Sequence, residues 1–152
     1  DSERWPAALR SGRPLAVAFI DLDHLKQRND RFGHSAGDQY ICTSAVALCG
    51  ALRRGVDEIF RLHTAGDEFL VLLHGPLDPN RFATALHQRL RQANVSASIG
   101  LAYCPQGTFS PARAQLRMRA WQASRQAKAQ GGDCAVVVPA QAQDLSCSGR
   151  TP

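Results

Sequence analysis

No apolar run in this chain approaches the ~20 residues needed to cross a bilayer, which excludes a transmembrane helix. There is no CxxC pair and no His spacing typical of a metal site, and the five cysteines (Cys42, Cys49, Cys104, Cys134, Cys147) are an odd number. A reducing cytoplasm fits that usage best. Cys42 and Cys49 stand one heptad apart in an apolar helical pattern, where cysteine is expected to act as a small hydrophobe. No internal repeat is visible. The first residue is Asp1 rather than Met, and no basic-then-apolar leader precedes the first strand-like run. The chain is therefore expected to be a piece of a longer protein, with any targeting segment outside it.

The 152 residues suit one domain, and 44% hydrophobic against 20% charged residues supplies a core and excludes a disordered tail. Lys and Arg number 18 against 13 Asp and Glu, a formal charge of +5 with a pI near 9.3. That balance leans weakly towards anionic partners such as nucleotides, although a basic solvated surface accounts for most of it.

Leu15–Ile20 is an unbroken apolar run between Pro14 and Asp21, as in a strand buried on both faces. From Asp38 to Arg53, Ile41, Ala45, Leu48 and Leu52 recur at helical spacing. Ile59–Leu62 and Phe69–Leu73 are apolar stretches close enough to form a hairpin. Asp78-Pro79 reads as an N-cap followed by proline at the first helical position, with Phe82, Leu86 and Leu90 on one face. Val95, Ala97, Ile99 and Leu101 alternate with small or polar residues, as in a strand with one buried face. Ser110-Pro111 repeats the cap-plus-proline signal for a helix ending near Gly131-Gly132, and Ala135–Val138 is a last short strand. The order β-α-β-β-α-β-α-β predicts an α/β fold, a mixed central sheet covered by helices, with the first strand and the hairpin near its middle. Residues 1–14 are expected to be an N-terminal helix or linker remnant, 15–139 the domain, and 140–152 a tail or linker to a further domain.

Two acidic clusters fall where this topology can bring them together. Asp21 and Asp23 follow the buried first strand, and Asp67-Glu68 occupies the hairpin turn. Carboxylates gathered at one sheet edge call for a hard divalent cation. Mg²⁺ takes one or two carboxylates plus phosphate oxygens, which points to a nucleoside triphosphate.

The run Asp21-Leu22-Asp23-His24-Leu25-Lys26-Gln27-Arg28-Asn29-Asp30, then Gly33-His34 and Gly37-Asp38, closely resembles the signature of GGDEF domains, the diguanylate cyclase family. Ala65-Gly66-Asp67-Glu68-Phe69 is similar to the name-giving motif, with alanine for its first glycine, and Ser98-Ile99-Gly100 matches a later strand. The likeness runs from about Leu15 to Val138. It implies a βαββαβ nucleotide cyclase-like core with a catalytic-loop hairpin, and enzymes that join two GTP molecules into cyclic di-GMP across two facing domains. By resemblance Asp21, the Leu22 carbonyl, Asp67 and Glu68 hold Mg (or Mn), with Asp67 and Glu68 also catalytic. Lys26 and Lys128 match phosphate-contacting lysines, and Gly66 lets the triphosphate approach the hairpin. Asn29 and Asp38 match the guanine-reading pair; a carboxylate suits the N1 and N2 donors, and an amide can give and take. Arg54-Gly55-Val56-Asp57 resembles the RxxD site that binds cyclic di-GMP as an inhibitor.

The match also breaks. His63-Thr64 reads as a two-residue insertion before Ala65, and a ~1 Å displacement of catalytic groups can cost ~100-fold in rate. The family's phosphate-binding arginine is Gly132 here, a lost contact worth ~1.5–3 kcal/mol. The resulting expectation is a cytoplasmic, GTP–Mg-binding GGDEF domain of low or no activity, regulating a linked EAL cyclic di-GMP phosphodiesterase. The alternative is an active diguanylate cyclase working as a homodimer. Linked sensor domains are expected in the full-length protein, and neither nucleic acid nor membrane contact by this domain.

Overall fold

The computed structural model describes residues 14–62, 66–104 and 115–140. In chain order the elements are β1 (Pro14–Leu22), α1 (Leu25–Phe32), α2 (His34–Cys49), β2 (Glu58–Arg61), β3 (Glu68–His74), α3 (Pro79–Gln92), β4 (Ala97–Tyr103), α4 (Leu116–Ala129) and β5 (Cys134–Pro139). The five strands form one sheet in the order β2-β3-β1-β4-β5. β1 runs antiparallel to both β3 and β4, β2 is antiparallel to β3, and β4 and β5 are parallel.

Alternation along β1 divides the core. Ala16, Ala18, Ile20 and Leu22 pack with Tyr40, Ile41 and Leu48 of α2 and Leu86 and Leu90 of α3. Val17 and Phe19 face the other way, towards Leu116 and Ala120 of α4. A central strand covered on both sides needs apolar side chains at every position, which is why its sequence shows no alternation.

Four expectations are corrected. β1 is the middle strand, but the hairpin reaches outward, and its first strand β2 forms the sheet edge. β4 is buried on both faces: Ser98, Gly100 and Ala102 carry so little bulk that α4 lies directly over them. The helix expected at Asp38–Arg53 is α2, which spans His34–Cys49, and a separate short helix α1 precedes it. Gly33, with φ 86°, is the break between the two. Cys42 and Cys49 are exposed, beside Val46 at 74% exposure, so this stripe of α2 faces outward rather than into the core.

Other readings hold. Asp78 Oδ1 accepts from the Asn80 and Arg81 N–H groups at 3.0 and 3.1 Å, capping α3 with Pro79 at its start. α4 ends before Gly131-Gly132. The Ser110-Pro111 cap, the His63-Thr64 insertion with Ala65, residues 1–13 and the tail from 141 lie outside the described residues. Among the described residues no helix is long and apolar enough to cross a membrane.

Candidate functional site

The end of β1 and the start of β3 bring the two acidic clusters together. Asp21 stands directly opposite Glu68 in the β1–β3 register and opposite Ser98 in the β1–β4 register. Residues opposite one another share a face, so Asp21 and Glu68 lie on the α4 side of the sheet. Beyond the strand pairing, the Leu22 N–H donates to the Asp67 carbonyl at 3.0 Å, and the Leu62 N–H donates to the Glu68 carbonyl at 3.0 Å. Arg61, which the sequence reading missed, donates from Nε to the Gly66 carbonyl at 3.0 Å and braces the strand entrance just ahead of Asp67.

Asp21 is buried, and Lys128 Nζ stands 2.8 Å from both of its carboxylate oxygens. Burial is the main force pushing the Asp21 carboxyl above its ordinary pKa. The charges of Asp67 and Asp23 push the same way, against the opposing pull of Lys128. The sequence alone gave no sign of this ion pair, which joins residues 107 positions apart.

Asp23 departs from its expected place among the converging acids. It is 4% exposed. It accepts from Ser96 Oγ, Ser98 Oγ and the Asp133 N–H, each at 2.8 Å, and so pins the β1–α1 loop to β4 and β5. Among the described residues no three His, Cys, Asp or Glu side chains form a group able to hold a metal ion. What the fold brings together is the Asp21–Glu68 pair of the register, with the charge of Asp67 close enough to act on Asp21; Mg²⁺ commonly takes one or two carboxylates and keeps its remaining positions for water and phosphate oxygens.

Asn29 of α1 lies against Gly37 of α2, the residue before Asp38. The Asn29 side chain lies so close against Gly37 that a Cβ there would stand 1.8 Å from Asn29 Oδ1. That oxygen is buried and accepts no hydrogen bond. Buried polar atoms in native folds are nearly always paired, so this acceptor is an exception among the described residues. Asp38, next in sequence to Gly37, is exposed, as is Lys26 in the first turn of α1.

Arg54 and Asp57 both line a groove of about 740 Å³ with Cys49 and Leu52. The Asp57 carboxylate, however, is fully enclosed and is held by Arg53 rather than Arg54. Arg53 donates from its backbone N, Nε and Nη2 at 3.0, 2.9 and 2.8 Å, and the His74 N–H adds a bond at 3.2 Å. Burial alone would raise the Asp57 carboxyl; these bonds outweigh it and hold the group below its ordinary value.

Gly132, in the place of the family arginine, has φ 76°, and a Cβ there would stand 2.9 Å from Asp23 Oδ2. The backbone has turned to deliver the Asp133 N–H to Asp23. Restoring the arginine by Gly132→Arg is therefore expected to lower the melting temperature without strengthening triphosphate binding, because an L side chain here strains the backbone. Thermal melts and nucleotide titrations of the variant check this; a tighter-binding variant of unchanged stability would refute it.

The fold agrees with what comparison with known proteins finds. A family model described as diguanylate cyclase, GGDEF domain, matches residues 2–134. The chain belongs to the GGDEF family of diguanylate cyclase domains. It is 31% identical to the diguanylate cyclase DgcS of Shewanella oneidensis, covering 88% of this chain and 46% of that protein. It is 36% identical to the bifunctional diguanylate cyclase/cyclic di-GMP phosphodiesterase MucR of Pseudomonas aeruginosa, covering 82% of this chain and 19% of MucR. The crystal structure of the GGDEF domain of TpbB (YfiN) from the same organism superposes with a TM-score of 0.70 at 32% identity, covering 90% of this chain and 92% of that one. The chain thus spans less than half the length of the curated relatives it matches.

Proposed function

We propose that this GGDEF domain binds GTP with Mg²⁺ (or Mn²⁺) and serves as a weakly active or inactive regulatory module of a cyclic di-GMP signalling protein in the cytoplasm. The observation that carries the nucleotide reading is the placement, in a chain that matches the GGDEF family, of Asn29 against Gly37, the residue before the exposed Asp38. Guanine presents N–H donors on its Watson–Crick edge, and Asn29 with Asp38 supplies the matching acceptors. Asp21, Asp67, Glu68 and the Leu22 carbonyl would hold the metal, which neutralises phosphate charge and orients the triphosphate. Lys26 and Lys128 would contact the phosphates.

Low activity is supported by Gly132, which offers the phosphates no cation and whose conformation is tied to Asp23. A linked EAL domain is supported by MucR, a bifunctional relative much longer than this chain. The second reading, an active cyclase that dimerises to join two GTP molecules, is supported by DgcS and by the Asp21–Glu68 register. Binding of cyclic di-GMP at the RxxD site would rely on Arg54, since Asp57 is engaged by Arg53.

Calorimetry of the chain with GTP and Mg²⁺ is expected to show binding, with little cyclic di-GMP on chromatography of the mixture. Abundant product would establish the second reading instead. Asp38→Ala is expected to remove the preference for GTP over ATP, at least tenfold for a site built around one base's donors. Unchanged selectivity would reject the guanine assignment.

A further inference from the structure

We propose that Lys128 keeps bare divalent cations off Asp21 and yields that carboxylate only to a metal arriving with a triphosphate, so that metal and nucleotide bind as a pair. The inference rests on the proposed reading of Asp21 as a metal ligand.

The geometry is specific. Lys128 reaches from the last turn of α4 and places Nζ 2.8 Å from Asp21 Oδ1 and 2.8 Å from Oδ2. An ammonium equidistant from both oxygens lies across the mouth of the carboxylate, the region a cation must enter. Mg²⁺ bonds oxygen at about 2.0–2.1 Å, so metal and ammonium on the same carboxylate would be neighbouring like charges. The Asp21 side chain is 11% exposed, which limits screening of that repulsion by solvent, whereas the Lys128 side chain is 41% exposed and has room to move. The protein around Asp21 offers too few ligands to offset the loss, since no group of three metal-binding side chains is present among the described residues.

A triphosphate changes both sides of the exchange. Its oxygens complete the metal's coordination and also give the lysine another anion. Lysine is suited to the move: a compact charge on a flexible stem, with three donors and no fixed plane. Lys128 then leaves Asp21 for phosphate as the metal takes the carboxylate. Each ligand raises the affinity for the other by the same factor, as linkage requires.

The test measures Mn²⁺ binding by electron paramagnetic resonance on the whole 152-residue chain, first without nucleotide and then with a non-hydrolysable GTP analogue. Lys128→Met and Lys128→Gln both remove the charge, and Gln retains a hydrogen-bond donor for Asp21 should Met disturb the fold. Both are expected to bind Mn²⁺ alone roughly tenfold tighter than the unaltered chain. Both should bind the Mn²⁺–analogue pair more weakly, so that the coupling between metal and nucleotide collapses. Lys128→Arg keeps a charge and should keep the weak affinity for bare metal. Arg125→Gln removes an exposed cation one turn earlier on α4 and should leave that affinity unchanged.

Mn²⁺ affinity that is unaltered, lower or undetectable in both neutral variants overturns the proposal. So does an equal rise in Arg125→Gln, which would trace the effect to net charge. Failure of the unaltered chain to bind the analogue would instead count against the proposed function, and the nucleotide-free measurement separates the two.

Discussion

Gly100→Ala is expected to lower the melting temperature by ~6–12 °C, the shift that ~3 kcal/mol produces in a chain of this size. The cause is the distance between β4 and α4. A Cβ on Gly100 would stand 2.0 Å from the Ala120 carbonyl oxygen, 2.2 Å from the Ser124 nitrogen and 2.8 Å from the Ala123 carbonyl carbon. All three are backbone atoms, so no rotamer change relieves the clash and the helix must lift from the sheet. α4 also carries Lys128 to Asp21, so the same displacement is expected to disturb the metal and phosphate groups along with the core. Thermal and urea denaturation followed by circular dichroism measure the loss. A variant that melts with the unaltered protein would show that this close approach is not a constraint on the fold.

The motif Ser98-Ile99-Gly100 was legible as a family feature, yet its physical meaning depends on a helix that starts some 16 residues later in the chain. Ser98 anchors Asp23, Ile99 fills the core beneath α2 and α3, and Gly100 admits α4. Sequence reading succeeded where the cause is local. The unbroken apolar run of β1 and the Asp78-Pro79 cap are each explained by the chain within a few residues. It failed where a partner arrives from afar. Alternating apolar residues in β4 implied one buried face, because nothing near them shows that their small neighbours are also covered. Asp21 and Asp23 look equivalent in sequence, but one turns to a lysine from α4 and the other to two serines and a backbone N–H. The RxxD spacing pointed to Arg54, whereas the turn after α2 gives Asp57 to Arg53. The missing arginine at Gly132 was visible at once; the backbone conformation that makes it hard to restore was not.

Arg53→Ala is expected to cost ~2–3 kcal/mol at neutral pH, because it leaves the enclosed Asp57 carboxylate with only part of its hydrogen bonding. This loss is smaller than the usual cost of breaking a fully buried pair because the Arg53 side chain is 42% exposed. The clasp joins the turn after α2 to the end of β3. Asp57 accepts from Arg53 and from the His74 N–H, and Arg53 also donates to the His74 and Pro76 carbonyls. Its pH dependence gives the sharper test. Because the folded protein holds the Asp57 carboxyl below its ordinary pKa, the stability it supplies is fully present above ~pH 3.9 and is lost as pH falls through the lower folded value. Without Arg53, burial becomes the dominant influence, and the folded state then resists ionisation. The variant is consequently penalised above ~pH 4 and relieved as acid protonates Asp57. The stability gap between the two proteins should therefore be widest near neutrality and narrow below that pH. Denaturation curves recorded across the acid range would reveal the convergence, and a gap that stays constant or widens in acid would remove Asp57 as its source.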